Sequence, residues 1–166
     1  IKNDLKPYYL TAFHCADSDK DGTLSPSEIN NAQTWVFRLG YWFNTCNQGD
    51  TLAGYNSISG ATFRAADVST DFLLLELSSP PPSGFGVTYA GWDRTGSISS
   101  SGVGIHHPIG DVMKISFENN PPTLATWQGT PSNSHWQVIW DNGTTERGSS
   151  GSPLFNNDHR IIGQLH

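Results

Sequence analysis

Three short segments place a histidine, an aspartate and a serine in settings that could make a hydroxyl nucleophilic: Thr11-Ala12-Phe13-His14-Cys15, Asp71-Phe72-Leu73-Leu74-Leu75 and Gly148-Ser149-Ser150-Gly151-Ser152-Pro153. Attack on a peptide carbonyl at neutral pH needs a base beside the hydroxyl, a carboxylate that fixes the tautomer of that base, and backbone donors for the oxyanion. Each role has a candidate. The serine segment is the most specific of the three, because glycines on both sides let the backbone turn tightly. The N–H groups of Gly148 and Ser150 are therefore predicted to form the oxyanion hole. Asp71 stands at the mouth of the apolar run Phe72-Leu73-Leu74-Leu75-Glu76-Leu77. A carboxylate there is partly desolvated and needs a partner, for which an imidazole N–H is suited.

A second motif is equally specific. Asp17-Ser18-Asp19-Lys20-Asp21-Gly22-Thr23-Leu24-Ser25-Pro26-Ser27-Glu28 carries Asp at loop positions 1, 3 and 5, Gly at 6, an apolar residue at 8 and Glu at 12, the pattern of an EF-hand calcium loop. Ca²⁺ takes six to eight hard oxygens. The expected set is the carboxylates of Asp17, Asp19 and Asp21, the Thr23 carbonyl, a water or hydroxyl at Ser25, and Glu28. Ser25-Pro26-Ser27-Glu28 is at the same time a capping box, so a helix is expected from Pro26 to Gln33 with Ile29 and Ala32 facing the core. With Asp17 only three residues beyond His14, the expected role of Ca²⁺ is structural: it stiffens the turn that carries the histidine.

The elements that must position these groups read as strands separated by turns. Segments Trp35–Phe43, Phe72–Leu77, Gly86–Ala90, Val112–Phe117, His135–Trp140 and Arg160–Leu165 have the aromatic and β-branched content of strands, with Pro and Gly between them. Ser78-Ser79-Pro80-Pro81-Pro82-Ser83-Gly84 is the most linker-like stretch. It suggests a division into residues 1–79, a linker at 80–84 and residues 85–166, with the site in the crevice between the two halves. His106 and His107 are adjacent on an expected strand and so face opposite sides and cannot readily share one metal ion; a structural role is expected for both. Asn142-Gly143-Thr144 is a formal glycosylation sequon, but the reading preferred here is a hairpin turn before the serine loop.

Composition narrows the class. The chain has 166 residues, 14% of them charged, with 17 glycines, 10 prolines and a net charge of −6. This suits a turn-rich all-β domain with a core of its own and argues against nucleic acid or an anionic membrane as partner. No apolar run approaches the ~20 residues of a membrane span. Two cysteines, Cys15 and Cys46, permit one disulfide in an oxidising compartment.

With those residues in view, the chain resembles the bacterial secreted trypsin-like serine proteases of the lysyl endopeptidase type. The resemblance extends over Gly91-Trp92-Asp93-Arg94, Gly104-Ile105-His106-His107-Pro108, Trp127 and Gly163-Gln164-Leu165-His166. It implies an all-β, chymotrypsin-like double β-barrel with the calcium loop and a short helix inserted after the histidine. It implies a general base at His14, its orienter at Asp71 and a nucleophile at Ser150. Trp127 and His166 match positions lining the substrate site, Trp127 being alternatively a barrel aromatic and His166 a plain strand residue. Glu146 matches a position near the substrate pocket, as a rim charge or a solvated loop residue. Cleavage after Lys, a polypeptide substrate, secretion and a monomeric state follow from the same resemblance. Ile1 stands thirteen residues before His14 and the chain stops sixteen after Ser150, so both barrels are expected to be incomplete. In the family both cysteine positions pair toward the N-terminus, which leaves a Cys15–Cys46 bond and two separate partners as open alternatives. The competing functional class is a non-catalytic Ca²⁺-binding β module that retains the three residues.

Overall fold

Alternation along one strand organises the first half of the molecule. Leu73, Leu75 and Leu77 are buried while Phe72, Leu74 and Glu76 between them are only partly covered, the period-two pattern of a strand with one face on a core. The computed structural model describes residues 4–45 and 52–166. In chain order these form β1 (Tyr8–Ala12), α1 (Pro26–Ala32), β2 (Val36–Leu39), β3 (Asn56–Ser59), β4 (Ala61–Asp67), β5 (Phe72–Leu77), β6 (Gly102–His106), β7 (Lys114–Glu118), β8 (Thr123–Ala125), β9 (His135–Gln137), β10 (Pro153–Phe155) and β11 (Ile161–Gln164). Single turns of 3-10 helix lie between some of them.

Strand β5 is the centre of a three-stranded antiparallel sheet in the order β1-β5-β4, with Ala12 opposite Phe72. That register places the residues following β1 beside those preceding β5, so His14 and Asp71 emerge at the same end. The inward leucines of β5 meet Ala16, Ala32, Phe37 and Ile58 in one cluster, to which α1 and the β2-β3 hairpin contribute. The second half is a four-stranded antiparallel sheet, β11-β10-β6-β7, with a separate β8-β9 hairpin. Gln164 on β11 ties the halves together: its Nε2 donates to the carbonyls of Asp71 (2.9 Å) and Thr70 (3.3 Å).

Helix α1 begins on a complete capping box. The Ser25 hydroxyl accepts from the Glu28 N–H while the Glu28 carboxylate accepts from the Ser25 N–H. The helix ends at Ala32, with Gln33 as its cap, and buries Ala32 while Ile29 is half-buried.

Several expected strands differ in extent. Gly86–Ala90 is not a strand: no strand among the described residues pairs with it, and Val87 and Tyr89 stay exposed. High β-propensity forms a strand only where a ladder partner is available. The run Trp35–Phe43 contributes only Val36–Leu39, because Gly40, at φ +80°, turns the chain out of the hairpin. His135–Trp140 shortens to His135–Gln137, Val112–Phe117 shifts to Lys114–Glu118, and Arg160–Leu165 becomes Ile161–Gln164. The linker-like stretch holds a 3-10 turn, Ser83–Phe85, whose Phe85 packs against the first core. Cys46 lies outside the described residues, and Cys15 has no disulfide partner among the described ones.

Candidate active site

Asp71 sits in a left-handed backbone conformation, φ +53° and ψ +32°, at the end of the 3-10 turn Val68–Thr70. Aspartate tolerates that region better than most residues. The turn aims its carboxylate back at β1, where it is only 2% exposed. One oxygen, Oδ1, accepts the backbone N–H of His14 at 2.9 Å, and Oδ2 meets His14 Nδ1 at 2.8 Å. A carboxylate is acceptor-only, so Nδ1 carries a proton, and in the neutral ring Nε2 presents a lone pair. The imidazole is 45% exposed, on the side away from Asp71.

Ser150 lies half-buried on the turn between Gly148 and Gly151. This turn packs directly on the strand that leads to His14: a Cβ on Gly151 would stand 2.8 Å from the Ala12 nitrogen. Among the described residues the Ser150 hydroxyl makes no hydrogen bond to His14. Distances of this kind commonly tighten only when substrate is bound. The N–H groups of Gly148 and Ser150 likewise have no acceptor among the described residues, whereas those of Ser149 and Gly151 donate to Glu146 and Leu165. Unpaired N–H groups at these two positions are available for the predicted oxyanion hole, which needs donors converging on one point.

His166, at the end of the strand carrying Gln164, forms a third wall. Its Nε2 is 3.8 Å from Asp71 Oδ2, and its ring stacks 6.0 Å from that of His14. Trp127, 56% exposed, lies with its ring centroid 5.0 Å from His166, a surface position rather than a place in a barrel core. Partial burial pulls the His166 pKa below that of an ordinary imidazole; Asp71 opposes the shift, while His135 and His14 add to it. Glu146 is brought to none of these groups by a hydrogen bond or ion pair among the described residues. It lines a cavity of about 360 Å³ with His106, Ile109 and Thr144.

One histidine, His135, escaped sequence reasoning. His135 Nε2 lies 3.0 Å from His166 Nδ1, and its Nδ1 lies 2.8 Å from the Ser134 hydroxyl, which continues to Thr130. His106 is buried against Ser149, while His107 faces outward to the Asp111 carbonyl. The signal that could have found His135 is its place at the start of an expected strand, with Ser134 before it.

The calcium-loop residues fall into two groups. Carboxylate oxygens of Asp17, Asp19 and Asp21 lie within 4.8 Å of one another, with Asp17 buried. Glu28 is not part of that cluster: one oxygen accepts from the Ser18 N–H and hydroxyl (2.7 and 2.8 Å) and the Asp19 N–H (3.4 Å), the other from the Ser25 N–H and hydroxyl (2.9 and 2.8 Å). These bonds, those from Ser25 foremost, hold its carboxyl at a pKa of about 2. Thr23 bonds to Asp21, and Ser25 is the helix cap. Beside the loop, partial burial and the Asp71 charge push the Cys15 thiol pKa up.

Comparisons with known proteins agree on one relationship. Residues 1–166 match the family described as lysyl endopeptidase, C-terminal domain. Over 120 residues the chain is 38% identical to a lysyl endopeptidase of Pseudomonas aeruginosa; these residues are 68% of this chain and 25% of that protein. The chain thus spans a quarter of the length of that curated relative. Among solved structures it resembles Deg5, with a TM-score of 0.58 at 16% identity over 99% of this chain and 70% of that one. It also resembles the apo protease domain of MamO from Magnetospirillum magneticum, with a TM-score of 0.55 at 12% identity over 96% of this chain and 70% of that one. At such identities the likeness concerns the fold, which is chymotrypsin-like. Among the described residues no helix is long and apolar enough to cross a membrane.

Proposed function

Since the chain belongs to the lysyl endopeptidase C-terminal domain family, we propose that it carries the catalytic machinery of a secreted serine endopeptidase acting on polypeptides, with His14 as base, Asp71 as its orienter and Ser150 as nucleophile. The observation that carries this reading is the double contact of the buried Asp71 carboxylate with His14, which selects the tautomer of the neutral ring whose Nε2 can act as base. In the proposed cycle Ser150 Oγ–H gives its proton to Nε2 as the oxygen attacks the substrate carbonyl. The resulting oxyanion is received by the Gly148 and Ser150 N–H groups. His14 then hands the proton to the departing amine, leaving an acyl ester on Ser150. Water, deprotonated by the same nitrogen, reverses these steps and frees the serine.

His166, stacked beside the His14 ring, and Trp127, tilted against His166, would flank a bound substrate. Cleavage after Lys is proposed on the family relationship, and a rim role for Glu146 on its place beside the cavity. A fluorophosphonate probe tests the reading. Labelling confined to Ser150 and abolished in Ser150→Ala is expected. An unlabelled Ser150 in the folded protein would leave the alternative of a Ca²⁺-binding β module with a catalytic remnant.

A structural Ca²⁺ is the second part of the proposal. The clustered carboxylates of Asp17, Asp19 and Asp21 are hard oxygen donors whose mutual repulsion a divalent cation would relieve. The Thr23 carbonyl, Ser25 and Glu28 would complete the set, and Glu28 would have to exchange hydrogen bonds with Ser18 and Ser25 to do so. Bound there, the ion would supply charge neutralisation to the loop that follows His14. With a Kd of about 10⁻⁴ to 10⁻³ M, as in extracellular modules, about 10 mM Ca²⁺ would stabilise the fold by about 1.4 to 2.7 kcal/mol. The melting temperature should rise by several degrees over that in chelator, and Asp19→Asn should shrink the rise. Identical melting curves with calcium and chelator would remove calcium from the account.

A further inference from the structure

Beneath the Ser150 turn lies a run of hydrogen bonds in which each proton can be assigned. The Thr144 carbonyl can only accept, so the buried Ser116 hydroxyl, 2.9 Å away, donates to it. Ser116 Oγ is then free to accept from His106 Nε2 at 3.2 Å, which puts the imidazole proton on Nε2. Nδ1 is left as an acceptor for the Ser149 hydroxyl at 2.9 Å, and Ser149 Oγ in turn accepts the Glu146 N–H at 3.3 Å. Ser149 and Ser116 are fully buried and His106 is 2% exposed, so none of these bonds can be replaced by water at small cost.

These bonds fasten the segment from Thr144 to Ser149 to strands β6 and β7. A further bond sets the orientation of one peptide plane within it. The Arg147 carbonyl accepts the Ile109 N–H at 2.8 Å. In a trans peptide C=O and N–H point in opposite directions, so the Gly148 N–H is turned away from Ile109 and left free. Ile109 itself holds φ +54°, a strained conformation for a β-branched residue, in the Pro108–Gly110 turn that follows His107. Serine occupies the position just before the proposed nucleophile, and its side chain is the one His106 grips.

We propose that His106 is a positioning residue for the reaction: neutral and protonated on Nε2, it holds Ser149 so that the Gly148 and Ser150 N–H groups stand ready for the oxyanion before substrate arrives. The inference rests on the serine-protease reading above. Burial lowers the His106 pKa, with His107 acting in the same direction and Glu146 against it, so the neutral form persists.

The test uses Ser149→Ala and Ser116→Ala in the complete enzyme, with peptide turnover, phosphonate labelling and ¹⁵N spectra of the wild-type histidines. Each substitution should lower kcat about tenfold or more, part of the 10²–10³ lost when an oxyanion donor is removed. KM should stay within about twofold, because the ground-state carbonyl relies on those donors little. A role in stability alone would lower the melting temperature and leave kcat intact in enzyme that is still folded; that result overturns the proposal. Should the variants not fold, the wild-type spectrum decides: a neutral Nε2–H tautomer supports the arrangement, and an Nδ1–H tautomer overturns it. An unlabelled wild-type Ser150 would defeat the protease reading itself. Normal wild-type labelling with normal labelling of Ser149→Ala would defeat only this inference.

Discussion

Asp71→Asn is expected to lower kcat by about 10⁴-fold while the protein folds normally, the effect of reversing the histidine tautomer in a triad of this kind. The reason lies in the two oxygens. The His14 backbone N–H needs an acceptor, so the Asn carboxamide oxygen takes the place of Oδ1. Its NH₂ then occupies the place of Oδ2 and donates to Nδ1. A neutral imidazole that accepts at Nδ1 carries its proton on Nε2 and has no lone pair for the Ser150 hydroxyl. The backbone is unaffected because asparagine also adopts the left-handed conformation found at φ +53°. Asp71→Ala would confuse the experiment, since it leaves the His14 N–H unpaired and strains the same backbone. The measurement is kcat on a peptide substrate beside a thermal melt of the same preparation. A folded Asn variant retaining a tenth or more of the wild-type rate would show that Asp71 does not set the tautomer.

What could be read from the sequence and what could not divide along sequence separation. The capping box joins Ser25 to Glu28, three positions apart, and such local chemistry is specified by residue type. The apolar run Phe72–Leu77 is local in the same sense, and it forms a strand, though which of its leucines are buried is set by the sheet. The expectation of an all-β chymotrypsin-like fold rested on motifs, and the comparisons agree with it. The bond between His135 and His166 spans 31 positions and that between His106 and Ser149 spans 43, and no periodicity announces either. Segment length was misjudged where pairing decides it. Gly86–Ala90 has the residues of a strand but no partner strand among the described residues, while Gly102–His106, rich in glycine, became an interior strand because β7 and β10 flank it. Glu28 shows a further limit: one residue satisfies two patterns, and its oxygens here serve the cap and the Ser18 backbone.

The turn that carries Ser150 owes its position to an absent side chain, and this makes Gly151→Ala the second large expected effect. Gly151 has φ +82°, and a Cβ there would fall 2.3 Å from Thr11 Oγ1, 2.8 Å from the Ala12 nitrogen and 2.9 Å from Thr11 Cα. Rotating the Thr11 hydroxyl away would relieve only the first contact; the other two are with backbone of β1. Conformational strain and overpacking together should cost about 2 to 4 kcal/mol. Any relaxation that lowers this cost must part the turn from β1, and so carry Ser150 away from His14 and slow phosphonate labelling. Gly96→Ala is the control: its φ is also positive, at +77°, but a Cβ there meets nothing within 4 Å. It should cost about 1 kcal/mol through the backbone alone and leave labelling unchanged. Denaturant midpoints and labelling rates for both variants separate the two contributions. If Gly151→Ala matched Gly96→Ala in both measurements, the contact with β1 would have no part in placing the serine.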